Sequence, residues 1–254
     1  MKRLREQAKI GVRWLGCGWR LLRRNPWLLL GMGLTSIALI IVLSFIPFAG
    51  SILLALLVPI LMASAMMTAD NVSQQQRPLP SDLKLAALAK SPKELFRVFN
   101  DDKRTMTVMG LGVYALTLTL LINIAAHLIS DGSWVVDFTT LGIGTLFKAL
   151  AAWLVAGLLY LGLAMTLVFT LPLITLRGES VFRAIDHSIK ASRRHIVGLL
   201  VLIGTLITPF LVGSVVSYFS VPGKYAIWLV GGLVVLPLFV TSCYCSYRTV
   251  FPSK

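Results

Sequence analysis

Six stretches of this chain constrain its fold more than anything else in it. They are long, almost uninterrupted apolar runs at about 27–47, 49–69, 105–129, 147–176, 196–220 and 225–247. Each reaches the roughly 20 residues a helix needs to cross about 30 Å of hydrocarbon at 1.5 Å per residue. Membrane β-strands are about 10 residues long with alternating polarity, and the runs show no such alternation. The sequence therefore predicts an all-α polytopic membrane protein with six transmembrane helices in one integral membrane domain covering 1–254. Composition agrees. Charged residues make up 13% of the chain and the mean hydropathy is +0.83, whereas a soluble domain carries about a quarter charged residues. The fourth run is the longest, so it either tilts or extends past the bilayer.

Charge placement orients the runs. Residues 1–24 hold eight Lys/Arg and one acid, residues 70–104 hold seven and five, and residues 177–195 hold five and two. With Arg248 and Lys254 added, one side carries 22 basic and 8 acidic residues. The other side carries Lys148, Lys224, Asp131 and Asp137, so the whole net charge of +14 falls on one face. The positive-inside rule makes that face cytoplasmic, with both termini inside, as an even helix count requires. The expected location is a bacterial inner membrane. The basic N-terminal region is too long for a cleavable signal peptide, and the apolar run after it exceeds a signal core.

Between the runs the chain repeats one pattern. On a helix, Leu4, Ala8, Val12, Leu15, Trp19 and Leu22 form an apolar stripe, while Arg5, Lys9, Arg13, Arg20 and Arg24 form a basic one. That is the composition of a helix lying in the membrane interface. Asn25-Pro26 ends it, because proline disfavours helical geometry in the residue before it and suits the first turn of a new helix. Ser91-Pro92-Lys93-Glu94 reads as a second such helix start, with Leu95, Phe96 and Phe99 apolar and Lys93 and Arg97 basic. A third begins at Ser180, with Phe182, Ile185, Ile189 and Ile196 on one side and Arg183, His187, Lys190 and Arg194 on the other. Each precedes a transmembrane hairpin, giving pseudo-repeats of about 1–69, 81–176 and 180–250. Pro47 and Gly50 form the first outer turn. Positive-inside sorting alone would also place basic stretches beside membrane helices.

Little here reads as reaction chemistry. No run carries Asp, Glu, Lys or Arg near its centre, where ion-coupled transporters need such groups. The acid/base candidates are scattered in interfacial segments: Asp70, Asp101, Asp102, Glu179, Asp186 and His187. Cys243-Tyr-Cys245 lacks the ligand number and spacing of a zinc site, and no metal or other cofactor is expected. Cys17, Cys243 and Cys245 are odd in number, lie by the basic face, and are expected to be reduced. The glycine pairs Gly31/Gly33, Gly110/Gly112 and Gly231/Gly232 read as close helix contacts.

RNPWLLL after a GW-x-LL helix, FIPFAGSILLALLVPILMASAMMTADN, and LPLITLRGESVFRAIDHSIKASRRHIVGLL together resemble an uncharacterised six-helix family of proteobacterial inner-membrane proteins. Asn25, Pro26, Pro47, Gly50, Pro59, Ala184 and Ser188 are the matching positions. More loosely, the layout is similar to the membrane domain attached to some glycerophosphodiester phosphodiesterases, without their catalytic domain. The resemblance implies location and fold, and no activity.

The functional expectation is a non-catalytic membrane protein that binds anionic phospholipid through its basic interfacial helices. It would organise lipid or serve a membrane-protein partner or a homo-oligomer. Arg20, Arg23, Arg24, Arg97, Lys190, Arg193 and Arg194 are the expected headgroup contacts. A transporter or channel for a lipid-like or apolar substrate is the alternative. Nucleic acid is not an expected partner, because the charge is spread over membrane-apposed helices with no binding fold.

Overall fold

A computed structural model describes residues 2–46, 49–74, 93–94, 96, 102–130, 143–219 and 231–252. All regular structure among them is helical. Helix α1 covers Lys2–Arg24, α2 Pro26–Ser44, α3 Ala49–Gln74, α4 Asp102–Ile129, α5 Ile143–Arg177, α6 Val181–Arg194 and α7 Ile196–Phe219. A π-helical turn over Gly231–Val235 leads into α8, Leu236–Val250. Five of these helices are long and apolar enough to cross a membrane, and a sixth is reached if the bent pair α6–α7 is counted as one span. The protein thus has the architecture of a multi-pass membrane protein. The bend at His195 is 92°, so α6 turns sharply away from the line of α7.

The predicted breaks have local causes. Asn25 separates α1 from α2, and its side-chain oxygen accepts the Leu28 amide at 3.4 Å as an N-cap. Pro26 then fills the first helical position, where its missing N–H costs nothing. Ser180 starts α6 in extended geometry, without a side-chain cap bond. Gly178 precedes it at φ +68°, a left-handed conformation that glycine adopts without steric cost. Gly50 sits where a side chain would strike the Leu43 carbonyl at the end of α2. Pro47 and most of the second amphipathic segment, Arg97 included, lie outside the described residues.

One continuous core joins all eight described helices, with Trp14, Met66, Leu111, Phe169 and Leu202 among its most buried side chains. Helix α1 is part of it. It packs most extensively on α8 and α7, so the first and last helices of the chain lie side by side. Their contact is close because glycine allows it. A Cβ at Gly11 would come within 2.5 Å of the Gly198 carbonyl oxygen, and one at Gly18 within 2.8 Å of the Ser242 nitrogen.

This packing corrects the predicted stripes. On α1 the buried line is Gly11, Trp14, Gly18, Leu21 and Leu22, whereas Val12 is 59% and Trp19 40% exposed. On α6 the buried line is Ala184, Ser188, Ala191 and Ser192, while Phe182 is 85% exposed. On α6 the inward side chains are small, and on α1 Gly11 and Gly18 alternate with the buried Trp14, Leu21 and Leu22. Small residues let helix backbones approach closely, which is how helices associate where the surroundings are as apolar as the side chains. Of the predicted apolar stripes, Val12, Trp19, Phe182 and Ile196 are exposed, Leu15, Ile185 and Ile189 are half-buried, and Leu22 is buried.

Candidate functional site

Hydrogen bonds gather the helix ends at one end of the bundle. Arg24 Nη1 donates to the Ser73 carbonyl at 3.4 Å, linking the end of α1 to the end of α3. Arg177 Nη2 donates to the Phe251 and Pro252 carbonyls, both at 3.2 Å, linking the end of α5 to the chain beyond α8. Gln7 Nε2 donates to the Arg194 carbonyl at 3.1 Å, linking α1 to the end of α6. These bonds tie the described ends of α1, α3, α5 and α6 and the chain after α8 to one another.

Two clefts open there, on either side of a polar clasp. Tyr244 OH on α8 donates to Asp70 Oδ1 at 2.6 Å, and the Ser73 hydroxyl lies 2.7 Å from the same phenol oxygen. Gln74 Nε2 donates to the other Asp70 oxygen at 3.0 Å. The clasp fixes α3 against α8 at the depth where the apolar runs end. The larger cleft, about 320 Å³, has Arg20, Arg24, Ser73, Tyr244 and the Cys17–Cys245 pair on its walls. The smaller, about 170 Å³, has Asp70, Gln74, Arg177, Tyr247 and Arg248 on its walls. Arg177 lies over the rings of Tyr247 and Phe251, and Arg248 over that of Tyr244, at 5.5–6.0 Å. Such stacking holds a guanidinium in place without neutralising it.

The seven predicted headgroup residues do not form one site. Arg20, Arg23 and Arg24 stand together and exposed at the end of α1, with Arg23 over the Trp19 ring at 5.0 Å. Arg193 and Arg194 are exposed at the end of α6, beside Gln7 near the start of α1. Thirteen or more residues of α1 separate the two groups, about 20 Å along the helix. Lys190 has an acidic neighbour on its own helix. Its ammonium donates to Asp186 at 2.6 Å, and that bond holds the Asp186 carboxyl below its usual range, so the pair presents little net charge. Arg97 lies outside the described residues.

The cysteine expectation is overturned. Cys17 and Cys245 form a disulfide across 228 residues of sequence, with Cα atoms 6.1 Å apart. Cys243 is a free, buried thiol. Residue spacing gives no hint of the bond, because it depends on α1 lying along α8. Sequence reasoning also passed over the Asp70–Tyr244–Ser73 clasp, Arg177 and Arg248. The signal available was Tyr-Cys-Ser-Tyr-Arg at the end of the last run, where aromatic and cationic groups concentrate at a membrane boundary.

Of the described acid/base candidates only Glu179 and His187 meet each other, and Asp101 lies outside the described residues. Glu179 pairs with His187 at 2.9 Å, Asp186 with Lys190, and Asp70 with Tyr244. Among the described residues, no three His, Cys, Asp or Glu side chains group as a metal site would need. No protein-family profile, curated protein sequence or solved structure matches this chain.

Proposed function

We propose that this protein is a non-catalytic component of a bacterial inner membrane. Its basic end, facing the cytoplasm with both termini, binds anionic phospholipid headgroups. The role is to organise lipid or to support a membrane-protein partner or a second copy of the chain. The observation that carries this reading is the shared build of α1 and α6. In each, one strip docks into the bundle (Gly11, Trp14, Gly18, Leu21 and Leu22 on α1; Ala184, Ser188, Ala191 and Ser192 on α6), an apolar strip that includes exposed Val12 and Trp19 or Phe182 faces out, and a basic strip adjoins it. Advancing about 100° per residue, the three strips follow one another in the same rotational order on both helices. An outward apolar strip bordered by Arg and Lys fits the boundary between acyl chains and phosphates, and a water-soluble surface does not need it.

The disulfide pulls against a cytoplasmic orientation, since such bonds persist mainly in oxidising compartments. Charge supports the orientation more strongly, with 22 of the 24 Lys/Arg on this side. Cys245 is buried and Cys17 half-buried, which limits access by reducing thiols.

The test uses purified full-length protein and lipid nanodiscs of phosphatidylglycerol or phosphatidylcholine. Preferential retention of phosphatidylglycerol that weakens as salt rises is the expected result. Equal retention of the neutral lipid at low salt would end this reading. Reporters fused at the C-terminus and near Lys90 test the orientation, and an external signal at either would reverse it.

The alternative, passage of a lipid-like or apolar substrate, is supported by a second observation, an apolar cavity between the membrane-spanning helices.

A further inference from the structure

That cavity lies between α3, α4, α5 and α8 and has a volume of about 410 Å³, within the usual range for small-molecule sites. We propose that it is a binding site for a single hydrocarbon chain, the tail of a membrane amphiphile.

Three features support this occupant. The first is depth. The α3 wall runs from Leu54 to Met66, and the other walls also lie within the membrane-spanning segments. The second is shape. The lining along α3 spans twelve residues, about 18 Å of helix, a length that an extended hydrocarbon chain covers and a compact ligand does not. The third is chemistry. Apart from backbone atoms, Thr119 and Cys243 bring the only polar side-chain atoms among the described lining residues. A charged or multiply hydrogen-bonding group placed there would be left unpaired. Water is disfavoured for the same reason, because apolar cavities stay dry. Small residues at Ala115 and Ala164 and the helix-interior Pro59 make the room.

The orientation of the bound molecule rests on the headgroup reading above, whereas its tail site does not. Met66 and Cys243 line the cavity, and one helical turn further along the same helices stand Asp70 and Tyr247, in the wall of the Arg177/Arg248 cleft. A chain lying in the cavity with its head toward that end would bring an anionic group to two guanidinium side chains.

The experiment uses full-length protein in neutral-lipid nanodiscs. The probes are a sixteen-carbon fatty acid carrying a mid-chain diazirine and the corresponding long-chain alcohol, with sites of photolabelling mapped by mass spectrometry. The expected result is saturable labelling at Met62, Met66 or Leu167, competed by unlabelled chain. Ala164→Phe should reduce it about tenfold by filling the cavity, while labelling at exposed Leu158 and Trp153 is unchanged. Labelling confined to those exposed positions overturns the proposal, as does undiminished cavity labelling in the filled variant. Should Ala164→Phe fail to fold, competition on the unmodified protein decides, and unsaturable cavity labelling overturns it. Equal labelling by acid and alcohol leaves the tail site standing and removes the orientation of the head toward Arg177 and Arg248, while the headgroup reading itself is decided by the phosphatidylglycerol retention above. A preference for the acid that is lost in Arg177→Gln supports both.

Discussion

Helices α1 and α6 share one surface plan and are held in place in different ways. Both turn one strip inward and exposed apolar side chains outward, with basic residues beyond them, but the inward strip of α6 is all alanine and serine while that of α1 sets Gly11 and Gly18 among Trp14, Leu21 and Leu22. Helix α1 docks through glycine onto α7 and α8, at the far end of the sequence, with Trp14 2% exposed in the seam. Helix α6 docks through hydroxyls onto α5, its immediate predecessor. Ser192 Oγ donates to the Met165 carbonyl at 2.8 Å, and Ser188 Oγ to the Thr166 carbonyl at close range. The first is a long-range contact made by shape, and the second is a local contact made by hydrogen bonds. A common outward face therefore does not imply a common anchorage, and the two helices should respond differently to the same perturbation.

The largest difference is expected at Trp14. Its ring fills the space beside Gly198, with the nearest approach to a Cβ there 3.2 Å, and meets His195 edge-on at 6.1 Å. Trp14→Ala should cost about 3–5 kcal/mol, the range for emptying a buried aromatic site, read as a loss of thermal stability in detergent. Phe182→Ala on α6 should cost well under 1 kcal/mol, because that ring is exposed. Similar losses at the two sites would erase the distinction.

The disulfide should come next. Cys17–Cys245 closes 228 residues, and removing such a link by Cys17→Ser typically costs about 2–4 kcal/mol. Reductant should therefore loosen α1 against α8, seen as faster amide exchange across Gly11–Leu22. Exchange at Ser188–Ser192 should not change, since α6 is tied to α5 by other means. Parallel acceleration in both helices would mean that they move as one unit.

Charge offers a third comparison. Arg20→Gln with Arg24→Gln should weaken binding to phosphatidylglycerol vesicles by about 2 kcal/mol, at roughly 1 kcal/mol per basic residue near an anionic surface. Lys190→Gln should have less effect, since its partner Asp186 already balances it. An equal or greater loss at Lys190 would show that the ion pair opens at the membrane.

How much of this was readable beforehand follows from the same two helices. The apolar runs and the Asn25-Pro26 break are local properties of the chain, and among the described residues helices and the break appear at or near their predicted positions. The inward faces of α1 and α6 were not legible. Apolar periodicity marks greasy side chains and passes over the alanine and serine of the α6 strip and the Gly11 and Gly18 contacts of α1, and it runs the α1 stripe through exposed Val12 and Trp19 instead of buried Trp14. The glycine pairs drew attention, yet the tight contacts at Gly11 and Gly18 involve isolated glycines whose partners lie more than 180 residues away. The disulfide and the Asp70–Tyr244 clasp were hidden for that reason too. Each joins α8 to an earlier helix, and no local pattern states that adjacency.

The smallest predicted effect is also the sharpest test of the contrast. Ser188→Ala with Ser192→Ala removes both hydroxyl donors that tie α6 to α5. Alanine preserves the close packing, and carbonyls within a helix still accept their own backbone bonds. Side-chain bonds between membrane helices average about 0.6 kcal/mol each, so the double change should cost little more than about 1 kcal/mol. Gly18→Ala on α1 adds a single methyl, but that methyl would meet the Ser242 backbone nitrogen at 2.8 Å and its Cα at 2.9 Å. Backbone cannot swing aside as a side chain can, so overpacking of about 1–3 kcal/mol is expected. Deleting two hydrogen bonds should thus destabilise the protein no more than inserting one carbon. If the serine pair proves the costlier change by a clear margin, shape is not what sets the anchorage of α1 apart.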